Sequence, residues 1–106
     1  MTNDSNTVQV VDVPLEDRFV VRTDGAEAEL VYRVSGDRVY LIHTEVPESL
    51  GGRGIAGQLV RASLRRAEAD RLTIVPWCPF ARRWLKEHPD EAEGVHVDFT
   101  TPPPEE

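Results

Sequence analysis

The hydrophobic pattern of this chain first changes period at a cluster of glycines. Up to Val46 the apolar residues follow a strand period; from Ile55 to about Asp70 they follow a helical one. A chain built this way cannot be an all-helical bundle or an all-β barrel, because a period-2 face and a period-3.6 face bury against different partners. Between the two halves stands ESLGGRGIAGQL, residues 48–59, with Gly51, Gly52, Gly54 and Gly57 inside seven positions.

The first half reads as a three-strand meander. FVVRT (19–23) meets Asp24-Gly25, a pair suited to a tight hairpin. AELVYRV (28–34) alternates Leu30, Tyr32 and Val34 with Glu29, Val31 and Arg33, and Ser35-Gly36-Asp37 supplies a second turn. RVYLIHTEV (38–46) is apolar on both faces, as a central strand would be. After the glycines, Ala56, Leu59, Val60, Ser63, Leu64 and Ala67 share a helical face to about Asp70, with Arg61, Arg65 and Glu68 away from it. RLTIVP (71–76) reads as a fourth strand, Pro79 as the first position of a second helix carrying Phe80 and Trp84, and His88-Pro89 as its end. VHVDF (95–99) reads as a last short strand. The expected class is α+β: a mixed, mostly antiparallel sheet, in the order three-strand meander, helix, strand, helix, with helices packed on it.

The expected organisation is a flexible tail over 1–14, one domain over 15–99 and a disordered tail over 100–106. At 106 residues, one core burying roughly 65% of the unfolded surface suffices. No apolar run reaches the roughly 18 residues of a membrane helix, and MTNDSNTVQVVDV lacks the basic flank and apolar stretch of a signal peptide. The expected location is therefore cytoplasmic, with no membrane partner. Cys78 is the single cysteine, and His43, His88 and His96 lack metal-ligand spacing, so no metal site is expected. The net charge of −7 argues against nucleic acid. Residues 53–86 nevertheless hold eight basic side chains against Glu68 and Asp70, a local balance of +6. A local anionic ligand and a set of solvated helix faces both account for that excess.

The glycine turn admits three spellings. Gly52 and Gly57 have P-loop separation, but Gln58-Leu59 replace the Lys and Ser/Thr that the mechanism needs. Gly52, Gly54 and Gly57 spell GxGxxG, yet the next strand ends in Val75-Pro76-Trp77 with no acidic residue for a ribose. What survives is a helix start whose N–H groups and dipole suit an anion. On the residues alone, a ligand-free tight turn explains the glycines equally well.

The run HTEVPESLGGRGIAGQLVRASLRRA, a short strand and then PWCPFARRWLKEHPD resemble the GNAT superfamily of acetyl-CoA-dependent N-acetyltransferases, in its compact single-domain subgroup. The resemblance covers about residues 17–91. Members of the subgroup carry a strand ending in His-Thr with a following Val-Pro, the glycine turn, and a cysteine after the next strand. The family's turn, Gln/Arg-x-x-Gly-x-Gly/Ala, aligns with Gly51-Gly52-Arg53-Gly54-Ile55-Ala56, and Gly51 departs from it at the first position.

The resemblance implies transfer of an acetyl group from acetyl-CoA to a primary amine on a small molecule or a protein lysine, with CoA as product. The alternative is a CoA- or acyl-CoA-binding module with little transfer. It implies that Gly51 to Ala56 hold the cofactor's diphosphate, with Arg53 pairing an oxygen, and that backbone groups at Glu45 and Val46 hold the pantetheine. Cys78 and Arg82, at the start of the second helix, complete the expected cofactor contacts. The acidic remainder of the chain favours a cationic acceptor, and a monomer or small homo-oligomer is expected.

Three side chains are candidates for the chemistry. Cys78 precedes Pro79 and so caps the second helix, where the dipole favours negative charge; it can serve as proton donor, as nucleophile, or merely as a small buried residue. His43 and Glu45 share one strand face, and either can act as base for the amine. His43 equally suits a packed core histidine. Trp77, Phe80 and Trp84 read as core, with Trp77 able to border the cofactor.

Overall fold

The computed structural model describes residues 8–104. Five strands form one sheet in chain order: β1 (Val11–Val13), β2 (Arg18–Thr23), β3 (Ala26–Ser35), β4 (Arg38–Glu45) and β5 (Thr73–Pro76). The first four are antiparallel neighbours and β5 joins β4 in parallel. Helix α1 (Ile55–Asp70) crosses between β4 and β5, and α2 (Pro79–Glu87) follows β5. This is the expected α+β order with one strand added at the edge. No helix among the described residues is long and apolar enough to cross a membrane.

Local chemistry explains the meander. Thr23 pairs with Ala26 across a two-residue turn in which Asp24 (φ 55°) and Gly25 (φ 74°) are both left-handed. Such a turn matches the right-handed twist of its strands, and Asp and Gly tolerate the conformation at low cost. On β3, Ala28, Leu30 and Tyr32 are buried against Phe19 and Val21 of β2 and against Leu59, Val60 and Leu64 of α1. Val34, expected on the same face, is 37% exposed, because it lies near the end of the strand, beyond the helix.

Val11–Val13 do not belong to a tail. They pair with Arg18–Val20, and Asp12 and Tyr32 join Arg66 of α1 in a polar cluster. The Tyr32 hydroxyl donates to Asp12 Oδ1 at 2.5 Å and accepts from Arg66 Nη1 at 3.0 Å. Burial, reinforced by the Asp12 carboxylate, raises the Tyr32 phenol to about 12. The expected strand over 95–99 is reduced to a single parallel bridge, Val97 beside Ile74. Thr100 and Thr101 are likewise tied down through Asp98, so the ordered chain extends past residue 99.

Two features of β4 prepare the functional region. Val31 pairs with His43 while Tyr32 pairs with Leu41, which leaves Ile42 as an extra residue in a β-bulge. The parallel pairing with β5 stops at Leu41 opposite Pro76, and Leu41 O accepts from both Trp77 N (2.9 Å) and Cys78 N (2.8 Å). Beyond this point β4 runs on through Glu45 with β3 on one edge and no strand on the other.

Candidate active site

Where β4 outruns β5, the chain turns into α1 through Pro47, a 3₁₀ turn at Glu48–Leu50, and the glycines. Leu50 is buried and anchors the turn. Gly52 (φ 79°) and Gly54 (φ 72°) are left-handed, and a side chain on either would meet nothing within 4 Å. Both therefore serve the backbone path, and they leave the space above it open. Gly54 caps α1 without any side-chain hydrogen bond. Among the described residues no acceptor meets the N–H groups of Gly52 through Gly57; the first bond in the turn is Gln58 N to Gly54 O, at 3.1 Å. Six unbonded amide donors and the positive end of a sixteen-residue helix thus lie together at the head of α1.

That place is a cleft of about 420 Å³. Val46, Leu50 and Phe80 form its apolar wall, the glycine turn one rim, and Arg61 and Trp84 the other. Gly51 is extended (φ −67°, ψ 155°), so the backbone there accepts a side chain, although a Cβ would press on Glu48 O at 3.3 Å. Gly57, the third glycine of the GxGxxG spelling, has a different task. A Cβ there would come 2.9 Å from Trp84 Nε1, so this glycine lets α2 approach α1.

Part of the positive charge is already paired. Arg53 pairs with Asp24 on the β2–β3 turn, Arg66 with Asp12 and Asp70, and Arg61 with both oxygens of Glu91. The Arg61 bond holds the Glu91 carboxyl below its ordinary value. Arg82, expected at the cofactor, donates instead to Phe99 O at 2.9 Å and lies over the Phe99 ring. Three of the eight basic side chains, Arg53, Arg61 and Arg66, thus exchange part of the local excess of +6 in ion pairs with distant acids.

Cys78 is 3% exposed at the N-cap of α2, extended (φ −66°, ψ 125°), with Pro79 at the first helical position. Its Sγ lies 3.1 Å from Thr44 Oγ1 on β4. His43 and Glu45 lie elsewhere. Register with Leu30 puts Thr44 on the core face, while pairing with Val31 and Glu29 puts His43 and Glu45 on the opposite, open face. Their side chains are 57% and 68% exposed, and His43 Nε2 stands 3.4 Å from Glu45 Oε1. His43 is thus neither a core residue nor a neighbour of Cys78. β4 separates the two sets of candidates.

Trp77, read as a cofactor neighbour, packs against Tyr40 with ring centroids 4.6 Å apart and the planes tilted, and donates to Thr101 O, outside the cleft. Phe80 and Trp84, read as core, line it. Their spacing of four on α2 marks a common face, but that spacing cannot distinguish a core wall from a cleft wall. Thr44 carries no signal along the chain, since its importance depends on the position of Cys78 in space.

A family model described as GCN5-related N-acetyl-transferase matches residues 18–94. Protein NATD1 of Gallus gallus is 37% identical over 75 residues, which cover 68% of this chain and 68% of that protein. Protein NATD1 of Xenopus tropicalis is 33% identical over 88 residues, covering 80% of this chain and 81% of the relative. Among solved structures, the NMR structure of a GCN5-like candidate N-acetyltransferase from Staphylococcus aureus aligns with a TM-score of 0.66 at 27% identity. The alignment covers 91% of this chain and 95% of that one.

Proposed function

Because the chain belongs to the GCN5-related N-acetyltransferase family, we propose that it moves an acetyl group from acetyl-CoA to a primary amine. The observation that carries this reading is the row of amide N–H groups from Gly52 to Gly57, unbonded at the head of α1 beside the open edge of β4. The residues suit the cofactor. The open space over Gly52 and Gly54 admits a diphosphate to the backbone, and Val46, Leu50 and Phe80 offer an apolar wall to a pantetheine arm.

In this reading the amides of Gly52, Gly54, Ile55 and Ala56 hold the diphosphate, with Arg53 exchanging Asp24 for a phosphate oxygen. Gly51 contributes backbone alone. The backbone of Glu45 and Val46, past the last pairing with β5, offers hydrogen bonds to the pantetheine amides. The cofactor supplies the acetyl group as a thioester. Bound there, it would offer its thioester carbon to the amine nitrogen, and the sulfur that leaves would need a proton. Cys78, held against Thr44, is the donor of that proton and recovers one from solvent. The amine's own proton is relayed by water to His43 or Glu45, which lie across β4 from Cys78 and meet solvent on the open sheet face. Glu45 on that face, with the net charge of −7, favours a cationic acceptor; Glu27 and Glu29 beside it are already paired with Arg18. We place this activity in the cytoplasm.

One observation favours a second reading, a CoA-binding module with little transfer: β4 separates Cys78 from His43 and Glu45. Calorimetric titration with acetyl-CoA and with CoA, followed by an acetyl-transfer assay across a panel of amines, tests both. Binding with turnover supports the transferase, and binding without turnover supports the module. Failure to bind either ligand sinks both.

A further inference from the structure

The cleft contains a donor that acetyl transfer as outlined does not use. Trp84 is 8% exposed. Its ring stacks on His88 at 4.1 Å, and the Arg61 guanidinium lies 5.2 Å from the ring centroid. The atoms around it are fixed in turn. His88 Nδ1 donates to Trp84 O at 2.8 Å, and Arg61 is bound to Glu91 through two nitrogens. The indole is therefore held by its neighbours, with its N–H edge directed at the first turn of α1. A Cβ on Gly57 would lie 2.9 Å from Nε1 but 3.6 Å from Cε2 and 3.8 Å from Cδ1.

Among the described residues this N–H has no acceptor. The other indole behaves differently, since Trp77 Nε1 donates to Thr101 O at 3.0 Å. A buried tryptophan normally finds a partner for its N–H, and a donor left without one calls for an explanation. Here it lines the same cleft as five of the six residues whose amides are unbonded, Gly52 and Gly54 through Gly57. Two independent sets of donors, one from the backbone of α1 and one from a side chain of α2, converge on one place.

We propose that Trp84 is a further anion contact of this site, its indole N–H donating to an oxygen of the diphosphate whose other oxygens the α1 amides hold. The proposal rests on the CoA reading and adds to it a residue and a chemical role. It also assigns Gly57, whose lack of a side chain lets the indole edge reach the cleft. A neutral donor fixed by stacking needs no rearrangement to meet the ligand, whereas Arg61 would have to leave Glu91 to do the same.

The two indole N–H signals of the ¹⁵N-labelled full chain provide the test. On titration with CoA or with ADP, the Trp84 signal is expected to move downfield while the Trp77 signal stays; pantetheine, which lacks the diphosphate, should leave both in place. Trp84→Phe keeps the aromatic ring and removes the donor, and should weaken CoA binding about tenfold or more. A Trp84 signal unmoved by saturating CoA, one moved equally by pantetheine, or undiminished affinity in Trp84→Phe would each overturn the proposal while leaving the CoA reading intact. A chain that binds no CoA overturns that reading itself. Should Trp84→Phe fail to fold, the spectra of the unaltered chain decide alone.

Discussion

Two clusters of polar groups in this molecule are opposites. Around Asp98 every donor has found an acceptor: the carboxylate takes bonds from Thr100 N, Thr100 Oγ1, Thr101 N, Thr101 Oγ1 and Arg38 Nη1. At the head of α1, six amides and one buried indole N–H have found none among the described residues. The first arrangement closes the chain onto itself, fastening the segment after Val95 across β4 and β5. The second is open, and it lies where two strands separate. Folding satisfies buried polar groups wherever it can, so the unbonded donors of the buried residues Ile55, Gly57 and Trp84 mark a position reserved for something else. Changes in the open cluster should alter binding or turnover with little effect on stability. Changes in the closed cluster should do the reverse.

The largest expected effect lies beside the open cluster. Cys78→Ala should lower acetyl turnover about a hundredfold or more, with CoA affinity within about twofold, the residual precision such titrations allow when no contact is lost. Turnover equal to that of the unaltered chain would return Cys78 to a packing role. Gly57→Ala crosses the boundary between the clusters. Its methyl group would force the Trp84 indole aside, at a cost of about 1–3 kcal/mol for overpacking. Thermal unfolding and CoA titration should both register it, and a variant as stable as the parent would show that the helices tolerate a wider spacing.

Asp98→Asn probes the closed cluster. Hydrogen bonds from Thr101 and Thr100, and then the Arg38 guanidinium, hold the Asp98 carboxyl well below the ordinary carboxylate range. A depressed carboxyl contributes stability that is complete above its unfolded value, near 3.8, and that fades as pH falls below it. The variant should therefore melt lower than the parent at neutral pH, and the gap should narrow in acid. A gap that widens in acid contradicts this assignment, and CoA affinity should not change. The smallest effect is expected for Arg53→Ala. The arginine is half exposed and already paired with Asp24, so its loss should weaken CoA binding by no more than about fivefold, the scale of an exposed ion pair. A larger loss would mean that the side chain, and not the backbone, holds the diphosphate.

The parts legible in the sequence are those decided within a few residues. Asp24-Gly25 makes its turn because two adjacent positions must be left-handed, and that requirement is visible in the residues themselves. Gly52 and Gly54 are readable for the same reason. The edge strand Val11–Val13 was not readable, because three residues carry too little pattern and its support comes from Tyr32 and Arg66, far along the chain. The bulge at Ile42 had no signal either. Counting alternate residues sets His43 and Glu45 together, which is correct. It does not reveal that Thr44 meets Cys78 on the far side of the strand.

The amino-acid sequence by itself determined the two periods, the turn chemistry and a helix that begins on glycine, because backbone preference and hydrophobic spacing act locally. Only the tertiary structure decided which donors are spent and which remain. Arg53, Arg61, Arg66 and Arg82 look alike along the chain, yet each is engaged by a group at least 17 positions away or by a carboxylate on a neighbouring turn. Trp84 and Trp77 are equally alike in sequence, and only one of them meets a carbonyl. Whether a polar group is satisfied depends on what the folded chain brings within about 3 Å of it, and that is a property of the packing.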